Sequence, residues 1–146
     1  MIELRMSKVY LFEGDQRSKK DLYLAKLLRT SDFSILYVSC SRTVSNLIQR
    51  LIELGLSAEE IHRRFSFIDA VSKHIGVKPE AAVDNVEYCD IGLNDLSLSI
   101  SGWLDRRATQ KRDAVVVFDN LSTIYAFHRE AVKQFVHKIS GRAREY

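Results

Sequence analysis

Val115-Val116-Val117-Phe118-Asp119 decides the fold, because it is a continuous apolar run that ends in a carboxylate. Such a run, rich in β-branched and aromatic residues, is typical of a strand buried on both faces of a parallel sheet. Three other short apolar runs are also predicted to be strands: Val9–Phe12, Ile35–Val38 and Phe65–Ile68.

Helical patterns lie between these runs. Apolar residues recur at i, i+3, i+4 and i+7 across Val44–Leu51, and Gly55 follows where that helix would end. Ser57 and Glu60 have the spacing of a capping box, which predicts a short helix before the third strand. Further helices are predicted over 21–29, 93–104 and 132–139, with Gly141 as the C-terminal cap of the last one.

The alternation of strands and helices predicts a single α/β domain over residues 1–146, an open and mainly parallel sheet with helices on both faces. A chain of 146 residues, 46% apolar and 28% charged, has the size and composition of one globular domain. The weakest pattern lies in Ser72–Gly92, which contains Pro79 and is predicted to be irregular apart from one helical turn at most.

Charge and hydropathy limit which partners the protein can have. No run reaches the length of a membrane span and no signal-peptide core follows the charged first residues, so we expect a cytoplasmic protein without membrane contact. The net charge is +3, and the cationic clusters suit solvated helix ends. A nucleic-acid surface is the less favoured interpretation of these clusters, which are His62–Arg64, Arg106–Arg107, Lys111–Arg112 and the pair Arg142 and Arg144.

Neither the histidines nor the cysteines form a catalytic or metal-binding pattern. No metal-ligand spacing links the four histidines, His62, His74, His128 and His137. Cys40 and Cys89 form no C-x-x-C pair, so we expect reduced thiols. Cys40 is predicted to be a small buried residue, and the alternative is a reactive thiol whose pKa is lowered by Arg42.

A degenerate phosphate loop follows the first predicted strand. The motif G-x-x-x-x-G-K-[ST] joins a strand to a helix, and Gly14 and Lys20 fall on its first glycine and its lysine. Lys19 replaces the second glycine and Asp21 replaces the hydroxyl that would hold Mg²⁺, so the approach of a phosphate is hindered. By this motif alone, an ordinary strand–helix turn is the better interpretation. Any residual anion binding is predicted to centre on Gly14, Arg17, Lys19 and Lys20.

Five segments carry a pattern that extends beyond this loop: Lys8–Glu13, Ile35–Ser39, Phe67–Ser72, Asn94–Ile100 and Val115–Ile124. In this order they resemble the first strand and phosphate loop, the second strand, the "F-I-D-x-x-S" segment, the "N-L-x-x-L-S-I-x-I" helix and the Walker B strand of RecA/KaiC-like ATPases, in particular the archaeal KaiC-like group. The match covers nearly the whole chain. No single motif is specific, and the order of the five carries the resemblance, which implies a RecA-like fold.

The resemblance implies roles for two positions. Asp119 matches the Walker B aspartate, which orients Mg²⁺, and the alternative role is a cap for the next helix. In the family a catalytic glutamate follows the second strand, where this chain reads Ser39-Cys40-Ser41-Arg42. Neither serine nor arginine acts as a general base at neutral pH, so we expect no appreciable ATP hydrolysis.

Three functions are compatible with these residues. The favoured one is a non-hydrolysing RecA/KaiC-like domain that acts as a protein-binding or regulatory module and needs no cofactor. The first alternative is an atypical ATPase that binds ATP and Mg²⁺ with Lys20, Arg17 and Asp119. The second is a nucleic-acid-associated recombinase relative that uses the basic clusters.

The resemblance also predicts a vacant strand position. In the RecA-like pattern a further strand follows the helix after the Walker B strand, and it inserts between that strand and the phosphate-loop strand. This chain reaches Tyr146 just after the predicted helix, so the domain would be truncated and lack its last core strand. Unpaired strand edges are costly, and we expect a homo-oligomer or a peptide strand to fill the gap. The alternative is direct pairing of the strands that contain Tyr10 and Val116.

Overall fold

The computed structural model describes residues 20–29, 33–73, 75–76, 85–89, 92–110, 113–119 and 132–144. The predicted strand Val9–Phe12 and the loop positions Gly14, Arg17 and Lys19 lie outside these residues. The predicted anion site and the predicted vacant strand position beside Val116 therefore stay predictions.

Helices and strands alternate along most of the described chain. The helices are α1 (Lys20–Arg29), α2 (Val44–Glu53), α3 (Ala58–Arg64), α4 (Leu93–Thr109) and α5 (Val132–Arg144). The strands are β1 (Ser34–Ser39), β2 (Phe65–Asp69), β3 (Val86–Tyr88) and β4 (Ala114–Asp119). None of these helices combines the length and the apolar character that crossing a membrane requires.

The described strands form one sheet in the order β3-β2-β1-β4, and every neighbouring pair is parallel. Ser39, the last residue of β1, lies opposite Asp69 at the end of β2 and opposite Asp119 at the end of β4. Because the strands point the same way, their carboxyl ends meet at one edge of the sheet. The parallel sheet and its helices confirm the predicted α/β class.

Helices cover both faces of the sheet. On one face α4 and α5 pack against alternate strand residues, in a core that includes Leu36, Val38, Ile68, Leu96, Ile100 and Phe135. On the other face α1, α2 and α3 pack against the intervening residues, in a core that includes Ala25, Leu28, Ile35, Tyr37, Leu47 and Phe65. The strand β1 is buried from Ile35 to its end, which confirms the prediction from its continuous apolar run.

The predicted end of α2 at Gly55 and the predicted start of α3 at Ser57 are confirmed, and α2 also begins at a hydroxyl-bearing residue, Thr43. The hydroxyl of Thr43 accepts a hydrogen bond from the amide of Asn46 at 3.3 Å, and that of Ser57 accepts one from the amide of Glu60 at 3.1 Å. Both helices therefore begin at a hydroxyl cap. After α2, Gly55 has a φ of +106°, in the left-handed region that favours glycine.

Three structural predictions are wrong. Gly141 does not end the last helix, because α5 continues to Arg144, and a glycine inside a helix costs only about 1 kcal/mol. Val86–Tyr88 forms a strand within the segment predicted to be irregular, since pairing with β2 overrides a weak local pattern. The apolar residues Ala114–Phe118 are only half-buried rather than enclosed on both faces, and β4 is the last strand of the described order.

One member of a basic cluster has an internal role. His62, Arg63 and Arg64 lie in the last turn of α3, as the helix-end interpretation predicts. The side chain of Arg64 is only 9% exposed, and its Nη2 donates to the carbonyl oxygens of Leu28 at 2.8 Å and Phe33 at 3.4 Å. Arg64 therefore ties α3 to the end of α1 and to the residue before β1.

Candidate functional site

Polar residues end three neighbouring strands at the carboxyl edge of the sheet. Asp69, Ser39 and Asp119 stand side by side in the register, and all three are buried. A buried carboxylate needs partners, because removing a charge from water is costly unless that charge is paired or hydrogen-bonded. Asp69 and Asp119 are compensated in two different ways.

Asp119 forms an ion pair with Arg42. Nε and Nη2 of the guanidinium both donate to one carboxylate oxygen, Oδ2, at 2.8 and 2.6 Å. The hydroxyl of Tyr37 donates to the same oxygen at the longer distance of 3.4 Å. The side chains of Arg42 and Asp119 are 26% and 11% exposed, so water screens their attraction less than it screens a surface pair.

The turn after β1 places Arg42 next to Asp119. The amide of Cys40 donates to the carbonyl oxygen of Asp119 at 2.7 Å, which extends the pairing of β1 with β4 by one residue. The hydroxyl of Ser39 donates to the carbonyl oxygen of Arg42, and that of Ser41 donates to the carbonyl oxygen of Asp119 at 3.4 Å. These bonds hold the turn over the end of β4 and so position the guanidinium.

Asp69 is held by backbone amides and a hydroxyl. Its Oδ1 accepts from the amides of Val71 at 2.9 Å and Ser72 at 2.8 Å, and its Oδ2 accepts from the Ser72 hydroxyl at 2.7 Å. Oδ2 also accepts from the amide of Val44 at 3.0 Å, and Val44 is the first residue of α2. The carboxylate therefore stabilises both its own turn and the start of a helix.

Cys40 is a buried thiol, as predicted, and its alternative role as a reactive thiolate is wrong. The residue is only 2% exposed. Burial, followed by the nearby Cys89 and Asp119, raises the pKa of the Cys40 thiol from its ordinary value of 9.0 to about 12. The neutral thiol is therefore the form present near neutral pH, although Arg42 follows two residues later.

The predicted site residues are only partly within the described structure. Asp119 is the last residue of β4 at the carboxyl edge, and Lys20 is the first residue of α1. Gly14, Arg17 and Lys19 lie outside the described stretches. Across the part of the chain that the structure describes, no group of three or more His, Cys, Asp and Glu residues is arranged to hold a metal ion.

Two important residues of this edge were not identified from the sequence. The sequence indicates Arg42 only as a poor general base and as a neighbour of Cys40, and it assigns no role to Asp69. The sequence does contain a pattern that could have identified each of these two residues. Parallel strands that each end in polar residues bring those residues together, so an arginine after β1 can meet an aspartate at the end of β4. The D-x-x-S spacing of Asp69 and Ser72 is typical of a side chain that bonds to the following backbone.

No protein-family model matches the chain, and no curated protein or solved structure matches it either. The role of the carboxyl edge therefore rests on its geometry and charge. The carboxylate of Asp119 is already paired with Arg42, and the buried thiol of Cys40 is protonated.

Proposed function

We propose that this chain is a RecA/KaiC-like domain that no longer hydrolyses ATP and acts as a protein-binding or regulatory module. The observation that carries the proposal is the ion pair between Arg42 and Asp119. In the resembled family the aspartate at this strand end orients Mg²⁺. Here its Oδ2 oxygen accepts from a guanidinium instead.

The position of Arg42 strengthens the argument. The resemblance expects the water-activating glutamate just after β1, and β1 and β4 are neighbours whose last residues, Ser39 and Asp119, are in register. A carboxylate pair across these two strand ends would attract a divalent cation. An arginine in place of the glutamate supplies a fixed positive charge there, so the residues present do not fit Mg²⁺.

A metal ion would have to displace the guanidinium. The pair lies at distances of 2.6 and 2.8 Å, and the hydrogen bonds of the preceding turn hold Arg42 in place. A cation that bound beside the intact pair would instead be repelled by the guanidinium. Loss of the metal and loss of a general base after Ser39 both act against hydrolysis.

The strand β4 supports the proposed protein-binding role. Its residues Val115, Val116 and Val117 are apolar but half-buried, and among the described strands β4 has a neighbour only on the side of β1. Apolar strands at a sheet edge favour pairing with another strand. We infer a homo-oligomer or a peptide strand as the partner, and sedimentation equilibrium over a range of protein concentrations tests the first of these.

The nucleic-acid alternative is less well supported. Arg64, a member of one predicted basic cluster, bonds to internal carbonyl oxygens and to Glu60 rather than facing solvent as a free cation. The Arg64 guanidinium therefore has structural contacts that a phosphate backbone would have to replace.

Thermal unfolding with and without Mg²⁺ tests the role of the ion pair. The wild-type protein should be insensitive to millimolar Mg²⁺, whereas Arg42→Ala should be stabilised by about 1.4 kcal/mol at ten times the Kd, because Asp119 then lacks its cation. Arg50→Ala is the matched control, since Arg50 is an exposed arginine that pairs with Glu53 at 3.5 Å elsewhere. Equal Mg²⁺ responses of the two variants would contradict the proposed role of Arg42.

Steady-state phosphate release tests the loss of hydrolysis directly. The wild-type protein should release no phosphate from Mg·ATP above the background of the buffer. Turnover that disappears in Asp119→Ala would instead support the alternative of an atypical ATPase. A melting scan with ATP then separates binding from hydrolysis, because ligand at a hundredfold its Kd stabilises by about 2.7 kcal/mol.

A further inference from the structure

A cavity of about 340 Å³ lies between α4 and the sheet, away from the carboxyl edge. Its walls include Leu36, Ser66, Ile68, Glu87, Ser99 and Trp103. Ser66 is the second residue of β2, and Glu87 follows the first residue of β3. The cavity therefore begins at the amino ends of these strands, opposite the edge that carries Asp119.

The sequence explains why this space is open. Phe65 and Phe67 belong to the core beneath α1, α2 and α3, so the alternation of a strand directs Ser66 to the α4 face. A serine is smaller than the apolar residues that fill the rest of that face, such as Leu36 and Ile68. The small side chain at position 66 leaves room between the sheet and α4.

One stripe of α4 faces this space. Ser99, Trp103, Arg106 and Arg107 all line the cavity, and they have the i, i+4, i+7 and i+8 spacing of one helix face. Trp103 also belongs to the apolar core, together with the neighbouring stripe that includes Leu96, Ile100 and Leu104. The chain thus places a hydroxyl, an indole and two guanidiniums along a single wall.

Trp103 supplies the second, independent observation. Its side chain is nearly enclosed, with the residue only 3% exposed, yet its indole Nε1 has no hydrogen-bond partner among the residues that the structure describes. Buried indole N–H groups normally have an acceptor, and a buried donor without one needs an explanation. An acceptor group on a bound molecule would provide it.

The charges around the cavity indicate the class of ligand. Arg106 and Arg107 line it from the last turn of α4, and the Arg107 guanidinium lies over the Trp103 ring. Glu87, on the opposite wall, is already bonded to the Ser99 hydroxyl at 2.8 Å. A negative group is therefore favoured at the α4 side and disfavoured near β3.

We infer that this cavity binds a small organic anion, such as an aromatic or aliphatic carboxylate or phosphate monoester. The apolar part of the ligand packs against Leu36 and Ile68. An anionic oxygen accepts the hydrogen bond of Trp103 Nε1, and the negative charge lies beside Arg106 and Arg107. The volume is at the lower end of the range for small-molecule sites, which favours a single-ring ligand. This inference does not depend on the proposed loss of ATP hydrolysis.

The experiment uses the single tryptophan of the chain, because Trp103 then gives the only indole N–H cross-peak in a proton–nitrogen correlation spectrum. The full chain is titrated with benzoate, phenyl phosphate and the uncharged benzamide. At least one of the two anions should shift the indole cross-peak saturably. Benzamide should bind at least about tenfold more weakly, because it brings an acceptor without the charge.

Two variants and one control complete the test. Arg106→Gln together with Arg107→Gln should weaken binding of the responding anion by about tenfold, whereas Arg50→Gln, which removes one positive charge from the opposite sheet face, should leave it unchanged. Trp103→Phe keeps the aromatic wall and removes the donor, so the shifts of the Ser66 and Ser99 amides on titration should weaken. The inference is overturned if neither anion shifts the indole peak, if benzamide binds as tightly as the anions, or if the arginine variant binds like the wild type.

Discussion

Replacement of Arg42 by alanine should destabilise the protein by an amount that the geometry of its ion pair sets. Two unit charges about 4 Å apart attract by about 4 kcal/mol at an effective dielectric constant of about 20. The 26% exposure of the Arg42 side chain and the entropy of holding it reduce this value, so we expect a coupling with Asp119 of about 2 kcal/mol. For a chain of this length, a loss of that size lowers Tm by about 6 °C.

The assay is a double-mutant cycle in urea. Unfolding free energies are measured for the wild type, Arg42→Ala, Asp119→Ala and the double variant, and the non-additive part is the coupling energy. Tyr37→Phe serves as a control, because the 3.4 Å contact of its hydroxyl with Oδ2 should contribute less than about 1 kcal/mol. A coupling between Arg42 and Asp119 below about 0.5 kcal/mol would refute the reasoning, since an exposed surface pair gives the same value.

Three further predictions concern other residues. Arg64→Ala should lower the free energy of unfolding by about 2–3 kcal/mol, because buried carbonyl oxygens lose their donor, while the adjacent exposed Arg63→Ala should change it by less than about 0.5 kcal/mol in the same denaturation assay. Gly141→Ala should raise the free energy of unfolding by about 0.5–1 kcal/mol, since beyond the adjacent backbone of α5 an added methyl group meets no atom within 4 Å. Gly55→Ala should lower it, because φ there is +106°, and the reverse order would contradict both assignments. Above pH 9 the Cys40 thiol ionises in the unfolded chain, whereas in the folded protein it stays protonated up to about 12, so the free energy of unfolding falls as pH rises. Cys40→Ala should reduce this fall by about 1.4 kcal/mol per pH unit, and an unchanged pH dependence would exclude the ionisation of Cys40 as its cause.

Much of the fold could be predicted because local chemistry and tertiary packing agree in it. The runs at Ile35–Val38 and Phe65–Ile68 are short, apolar and rich in β-branched or aromatic residues, and both are strands. Ser57 and Glu60 are spaced as a cap, and a helix begins there. The strand β3 could not be found in the same way, because Val86–Tyr88 contains only three residues and depends on its pairing with β2.

The candidate site was predictable only in part, for a different reason. Asp119 could be placed at a strand end from its own segment. Its partner Arg42 lies 77 residues earlier, and no local pattern joins them. Their contact depends on β1 being the neighbour of β4, which is a property of sheet order that the alternation of elements does not determine.

Asp69 and Asp119 lie on either side of Ser39, but only one of these carboxylates can be released to a ligand by a single substitution. The donors to Asp69 include three backbone amides, which no side-chain replacement removes. The charge of Asp119 is balanced by one guanidinium. Without Arg42, the hydroxyl of Tyr37 at 3.4 Å is the remaining side-chain donor that the structure describes for Oδ2, and a neutral hydroxyl cannot neutralise a carboxylate. An incoming cation can neutralise it. We therefore infer that the guanidinium of Arg42 takes the place of the metal ion that the Walker B aspartate orients in the resembled family.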